Sequence, residues 1–443
     1  MVASVAERRS VVRDDSPFSV RSWSPLHLVP VTRVDKLVVI VTTFVLYMGL
    51  PAYWFLGSNE RDLTEAGAAG LLSLMMLAAA TYAVLSLRLR FGCFVELCRA
   101  EPLLPAFLGW CALSTVWSVD PGRTIRSAIS FAAIGLVGFW FALRFPLAQL
   151  LRSALIGLLC GQAINVCFSI ALVRYGRDDS DRWAGVYGHH NILARSTILV
   201  LIVSLVLARS AVAYRRVYWL LALGNLGIVL MSQSKTSSVA AVSLILLSWV
   251  SKVFKSKRTA YGAVTVAFGG VGLTSLVVGI GRAGAIAQLF GKSKTISGRS
   301  DVWKAALDQI WIHPIQGFGW SAFWAGWDGP SAAVWHVVAF RPAHAHNAFL
   351  GSALEIGLVG AVIATLMLLR LAIRSARLLR HYSSPVGMFP LMFVAGALPL
   401  SITEAGVITK DAHFLFYVVA IVVASCGRRQ FTLPLTAPGA RND

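Results

Sequence analysis

The chain has 443 residues, of which 57% are hydrophobic and 14% charged, with mean hydropathy +0.70 and formal net charge +20. That balance excludes a soluble globule of this length. Apolar runs of about 20 residues recur along it, the length a helix needs to cross roughly 30 Å of hydrocarbon.

Taken in chain order, residues 1–35 form a basic tail with Arg8, Arg9, Arg13 and Arg21. No apolar region with a small-residue cleavage site follows them, so this reads as a retained cytoplasmic tail rather than a signal peptide. The apolar runs lie near 37–57, 66–87, 103–119, 127–147, 153–173, 191–208, 217–231, 237–251, 261–281, 347–369, 387–403 and 412–427. They predict an all-α polytopic membrane protein of about twelve spans, because barrel strands would be near 10 residues long and alternate in polarity. Residues 36–427 then make one transmembrane domain, which includes a long polar loop at 282–346, and residues 428–443 make a second cytoplasmic tail.

The basic excess invites a nucleic-acid reading, which its distribution removes. With the N-terminus inside, the predicted inner connectors hold Arg88, Arg90, Arg144, Arg152, Arg209, Arg215, Arg216, Lys252, Lys255, Lys257, Arg370, Arg374 and Arg377. The outer connectors hold most of the loop acids, among them Glu60, Asp62, Asp120, Asp178, Asp179, Asp181, Glu404 and Asp411. This is the positive-inside bias, and an even span number places both termini in the cytoplasm. None of the six cysteines falls in an outer connector, so no disulfide is expected, and Cys93 and Cys98 lack two further ligands for zinc.

The 282–346 loop is the one polar stretch long enough to hold chemistry. Within it, Val302, Trp303, Ala306, Leu307, Ile310 and Trp311 fall at helical spacing, which predicts an amphipathic helix at the outer interface. It should stop at His313-Pro314, and Gly317-Phe318-Gly319-Trp320 reads as a turn with aromatic anchors. As a ligand site the stripe is weaker than as packing against the membrane domain.

Three outer motifs open inward-running helices: Gly188-His189-His190-Asn191, Ser232-Gln233-Ser234-Lys235 and His346-Asn347. Asn and Ser are good N-caps, and helix starts favour anions. With Arg182, Arg195, Arg299 and Lys235 nearby, the helix starts could hold a phosphate or pyrophosphate. The plain alternative is capping alone, with basic residues reaching toward headgroups. His344 and His346, with His189 and His190, could ligate a metal or supply a general base; their spacing shows no converging ligand set, so no metal is assigned. Asp178-Asp179-Ser180-Asp181 beside Arg174, Arg177 and Arg182 reads as an internally paired loop. Charge is almost absent from the span centres, which argues for interfacial chemistry over ion-coupled transport.

At these residues the chain resembles the O-antigen ligase and polymerase superfamily, and within it the exopolysaccharide polymerases of the ExoQ type. The resemblance rests on an ordered set over most of the chain: Trp117-Ser118-Val119-Asp120-Pro121 with Arg126, Arg182-Trp183-Ala184-Gly185 through Asn191, and Ser234-Lys235-Thr236. It continues with Ser297-Gly298-Arg299-Ser300-Asp301-Val302-Trp303, Pro314, Gly317-Phe318-Gly319, His346-Asn347 and Glu355-Ile356-Gly357. Lys235 departs from the pattern, since family members commonly carry Arg there; Lys keeps the charge and loses the bidentate fork. The resemblance implies a C-type glycosyltransferase fold in the bacterial inner membrane. It implies a donor glycan linked to undecaprenyl pyrophosphate, moved without metal or other cofactor to an acceptor hydroxyl in the periplasm. His346 would be the general base; Arg182, Arg195 and Arg299, with Lys235, would hold the pyrophosphate. His190, Asn191, Arg126, Asn347 and Glu355 complete the expected substrate-binding set. The expected partners are the lipid-linked oligosaccharide, the bilayer and, around it, chain-length regulator and export proteins; no nucleic acid is expected. Ligation to a lipid A core, a transporter, or a non-catalytic part of an export complex are the competing readings.

Overall fold

A computed structural model of the chain describes residues 30–49, 61–87, 91–210, 213–253, 299–338, 341–381 and 385–426. Thirteen helices are named here: α1 (Arg33–Met48), α2 (Arg61–Leu87), α3 (Phe91–Ala100), α4 (Leu103–Leu113), α5 (Pro121–Arg144), α6 (Leu147–Ala171), α7 (His190–Ser210), α8 (Arg215–Met231), α9 (Lys235–Val253), α10 (Arg299–Ile310), α11 (Ala348–His381), α12 (Phe389–Thr403) and α13 (Ala412–Cys426). Among the described residues there is no strand; one isolated bridge, Arg177 to Trp183, closes the 177–183 turn. Among the described residues, four helices are long and apolar enough to cross a membrane: α5, α6, α7 and α11. The chain is therefore a helical, polytopic membrane protein. Helices lie over eleven of the twelve apolar runs, and the run at 261–281 falls outside the described residues.

Two helix starts differ from the hydropathy reading. α5 begins at Pro121, six residues before the apolar run near 127, because Asp120 caps it: Asp120 Oδ1 accepts the Arg123 N–H at 2.8 Å and Pro121 occupies the first turn. Arg123 and Arg126 hide that turn from a hydropathy window. α6 likewise begins at Leu147, straight after the Phe145-Pro146 corner, not near 153.

The bundle is organised around α7, α12 and α13, which are buried on nearly every face. A helix apolar all round must be enclosed by others. α12 packs against α7, α9 and α11; α13 packs against α5 and α11; α1 lies along α6. The periphery keeps apolar side chains exposed, such as Leu358, Val359, Val362, Leu366 and Leu369 on α11 and Leu220 and Leu223 on α8. These are the faces that lipid would cover. At one end, buried Glu101 pairs with Arg374 and accepts the Ser425 hydroxyl, which ties α11 and α13 to the α3–α4 corner.

At the opposite end the polar segment from Arg299 folds back over the bundle. α10 buries Val302, Ala305, Ala306 and Ile310 in a small second core with Phe318, Phe323, Val334, Ala353 and Leu354. The expected amphipathic stripe is thus divided. Val302, Ala306 and Ile310 pack inward, and Leu307 and Trp311 remain exposed.

The Gly317-Phe318-Gly319 turn does something the sequence reading did not foresee. α11 is broken at Ile356 (φ −125°, ψ 17°) and Gly357 (φ 68°, ψ −178°). The turn fills the break: Phe318 N–H donates to Leu354 O (2.9 Å), Gly319 N–H to Glu355 O (2.7 Å), and Leu358 N–H to Pro314 O (2.8 Å). Trp110 Nε1 donates to Ile356 O at 2.9 Å. Every freed backbone group named here is satisfied by protein.

Candidate active site

Helices α7, α9 and α11 start, and α12 ends, at this end of the bundle. Residues 344–347 form the join. Ala345 is pinned by Trp303, whose Nε1 donates to its carbonyl at 3.0 Å. Asn347 caps α11, its Oδ1 accepting the Phe349 and Leu350 N–H groups at 3.0 and 3.1 Å. Its Nδ2 also donates to Ile402 O at 3.2 Å, fastening that cap to the last turn of α12. Between these anchors His346 takes a left-handed backbone conformation, φ 49°. A non-glycine residue seldom holds that conformation, and such strain concentrates at functional sites.

The side chain of His346 meets Glu404, which immediately follows α12. Nδ1 lies 3.4 Å from Glu404 Oε2, and Arg299 Nη2 lies 2.6 Å from Glu404 Oε1. Glu404 is 6% exposed. Burial alone would raise its carboxyl, but the His346 hydrogen bond, the Arg299 charge and the neighbouring imidazoles outweigh it and hold the carboxyl at about 2. It is ionised at any working pH. His344 stacks near His346, ring centroids 4.2 Å apart, and its Nδ1 accepts the His346 N–H at 3.1 Å. Burial, then the neighbouring imidazole, pushes His344 down to about 3, so it is neutral.

His344, His346 and Glu404 bring ligand atoms within 4.8 Å of one another, so they are the group among the described residues that could hold a metal. Two observations weigh against that use. Arg299 already neutralises Glu404, and the His344 nitrogen that faces the chain serves a backbone N–H. The arrangement fits a carboxylate–imidazole dyad better than a cation cage.

The other expected residues fall into two groups. Arg195, from the second turn of α7, holds Asp411 at 2.5 Å and Gly406 O at 3.0 Å. Burial would raise the Asp411 carboxyl, but Arg195 and His413 hold it far below the usual range. Arg182 pairs with Asp178 at 2.9 Å, and Arg177 pairs with Asp181, so the acidic run is the internally paired loop its sequence suggested. His190 Nδ1 lies 2.7 Å from Asp178 Oδ2. Asn191 is inside the first turn of α7 rather than its cap; His189 Nδ1 accepts the Asn191 N–H at 3.2 Å. His189 in turn lies within the field of Glu404 and His346 as well as of Asp178 and Arg182. The start of α9 reaches the same place, since Thr236 and Thr403 share a hydroxyl hydrogen bond of 2.7 Å beside Glu404. Lys235, one residue earlier, is exposed and has no carboxylate partner among the described residues.

Arg126 and Glu355 stand apart from this cluster. Arg126 is exposed on α5. Glu355 accepts the Ser321 N–H at 3.0 Å, and Ser321 also receives Lys410 at 3.2 Å, so Glu355 organises the loop that fills the α11 break. Several motif residues are equally architectural. Gly185 (φ 58°) packs against Asn165, where a Cβ would overlap the amide, and Asn165 Oδ1 accepts the Val186 N–H at 3.0 Å. Ser118 shares a 2.7 Å hydrogen bond with Thr124, and Gly319 closes against it.

Sequence reasoning missed Glu404 and Asp411 as site residues. Both had been counted only as acids of outer connectors. The available signal was an acid directly after an apolar helix, at the end of the bundle where the basic motifs gather.

Residues 219–365, from α8 through the α11 break, match the family described as O-Antigen ligase. The chain is 25% identical over 311 residues to the exopolysaccharide production protein ExoQ of Rhizobium meliloti (strain 1021), covering 66% of this chain and 69% of that one. Apolar helices, an ordered motif set and these matches support a multi-pass bacterial membrane protein with a glycosyltransferase-like, polysaccharide polymerase or ligase role. The family match over residues 219–365 and the similarity to ExoQ agree with the resemblance carried by the ordered motifs.

Proposed function

We propose that the chain polymerises oligosaccharide repeat units carried on undecaprenyl pyrophosphate, at the periplasmic face of the inner membrane, without a metal. The observation that carries this is the cluster of His346, Glu404 and Arg299 where α11 starts and α12 ends. Glu404 orients the His346 ring through Nδ1, which makes Nε2 the nitrogen that accepts the proton of an acceptor hydroxyl. The hydroxyl oxygen bonds to the anomeric carbon of the donor as the bond from that carbon to the pyrophosphate oxygen breaks. The electron pair leaves with undecaprenyl pyrophosphate, whose growing charge the cationic groups stabilise.

Lys235 is the cation best supported for that task, because among the described residues no carboxylate pairs with it, whereas Arg182, Arg195 and Arg299 are each paired. Arg299 and Arg195 contribute from behind their carboxylates, and Arg182, His190, Asn191 and Asn347 shape the helix starts around the pyrophosphate. About twelve spans follow from the apolar runs, and cytoplasmic termini follow from the positive-inside bias with an even span number. The domain reading keeps the 1–35 and 428–443 tails outside the membrane and the 282–346 loop on the periplasmic side.

Replacing His346 with Ala in the native host tests the reading. At normal protein levels, single repeat units should accumulate on the lipid carrier and polymer should disappear. Unchanged polymer length would remove His346 as the base. Retained transfer by the purified protein in the presence of a chelator supports metal independence; loss restored by added zinc would return the His344, His346 and Glu404 group to a metal role. Ligation is the second reading, and it would show as normal polymer that is never attached to its acceptor.

A further inference from the structure

We propose that Trp327 and Arg341 form a glycan-binding platform that holds the acceptor chain beyond the sugar being extended. The proposal rests on the glycosyl-transfer reading for its purpose, and on different residues for its evidence.

Trp327 is 45% exposed on the polar segment that caps the bundle. It is not a loose surface ring. Trp335 meets it edge-on with centroids 5.1 Å apart, His336 lies 5.2 Å away, and the Arg341 guanidinium sits 4.9 Å over its ring. The turn beneath is clasped by Ser331, which accepts the Gly326 N–H at 3.2 Å and donates to Gly326 O at 2.8 Å. His336 and Arg341 border the indole with exposed polar groups, and exposed Asp328 is the next residue in the chain after Trp327. A rigid aromatic ring bordered by donors and acceptors suits a sugar, whose C–H faces pack on the negative ring face while its hydroxyls bond to the rim.

The other exposed apolar patch of this segment has a different character. Trp311 is 70% exposed and Ile315 66%, with Ile312 between them. They adjoin the exposed apolar face of α11 through the Pro314–Leu358 hydrogen bond. That patch continues a lipid-facing surface and has no polar rim. The Trp327 cluster has the rim and lacks that continuity.

Its position relative to the dyad is fixed. Trp335 Nε1 donates to Pro342 O at 3.0 Å, and Trp303 Nε1 donates to Ala345 O at 3.0 Å. The chain from Pro342 to His346 is therefore held at both ends. Four extended residues span about 14 Å at most. A glycan with its terminal hydroxyl at His346 would reach the platform within a few sugars.

The test uses the full chain in lipid nanodiscs and oligosaccharides made by partial hydrolysis of the host's own secreted polysaccharide. Equilibrium binding should saturate for the native protein, and Trp327→Ala should weaken it about ten-fold or more, with Trp327→Phe retaining most of it. Arg341→Ala, a change at an exposed side chain that leaves the fold intact, should also weaken binding. His346→Ala should bind the oligosaccharide normally while losing transfer. In the host, the Trp327→Ala polymer should be shorter while addition of the first unit continues. Normal binding by both Trp327→Ala and Arg341→Ala overturns the platform, as does absence of binding by the native protein. Normal polymer from His346→Ala, with binding still lost in Trp327→Ala, overturns the base and leaves the platform standing.

Discussion

Glu404 lies between a histidine and an arginine, and each contact has a separable consequence. Glu404→Gln keeps the shape but removes the charge that orients and supports a protonated His346. Turnover of the purified enzyme should fall roughly a hundred-fold or more, within the range a positioned acid–base group contributes. A variant of near-native rate would mean the dyad is not used. The same carboxylate couples folding to pH. Its ordinary value is 4.5 and its folded value about 2, so the stability it contributes is complete above 4.5 and is lost as pH falls toward 2. Thermal unfolding in nanodiscs should show that loss in the native protein and a flatter response in Glu404→Gln; equal slopes would argue against an ionised, paired Glu404. Lys235 belongs to the same scale. Lys235→Ala should raise the KM for the lipid-linked donor, and Lys235→Arg should restore it. An unchanged KM in Lys235→Ala would remove Lys235 from the pyrophosphate site.

The unit that matters among the elements is the broken helix with the turn that completes it. Gly357 has φ 68°, and a Cβ there would overlap the Ile315 carbonyl; Gly317, at φ 69°, would meet the backbone of Gly357 in the same way. These two glycines let two backbones touch, and the 314–319 turn then supplies the hydrogen bonds that the break removes. Gly357→Ala should cost about 1–3 kcal/mol from backbone strain alone, before the overlap is counted. The measurement is thermal unfolding alongside transfer activity. Loss of both at wild-type expression fits a turn that positions Glu355, Ser321 and the cap of α11. A fully stable Gly357→Ala would show that the break is not required. Glu355-Ile356-Gly357 belongs to the ordered motif set, but hydropathy places it inside one unbroken apolar run from 347 to 369. A break whose partners lie some forty residues earlier leaves no periodic trace, so hydropathy reads straight through it.

Across the whole molecule, the helical class, the apolar runs and the ordered motifs could be read from local composition, since each depends on neighbouring residues. The pairings could not. Arg299 with Glu404, Arg195 with Asp411 and Trp117 with Gln316 join residues 105, 216 and 199 positions apart. Sequence named the basic member of each charged pair, because motifs carried it, and left the acid among the loop residues. What the fold adds is one polarised body. His346, Glu404, Lys235, Arg182 and Trp327 belong to the end where α7, α9 and α11 start, whereas Glu101, Arg374 and Arg377 belong to the end where α11 and α13 finish. That division makes a prediction independent of activity. In a variant with the native cysteines replaced, Asp179→Cys and Asp328→Cys should react with a membrane-impermeant maleimide in intact cells, through an outer membrane made permeable to it. Arg377→Cys should react only after the inner membrane is opened. The reverse pattern would put the dyad in the cytoplasm, where a glycan already carried across the membrane could not reach it. Labelling of all three in intact cells would break the two-ended arrangement itself, because α11 would then fail to carry Arg377 across the bilayer from the side that holds His346.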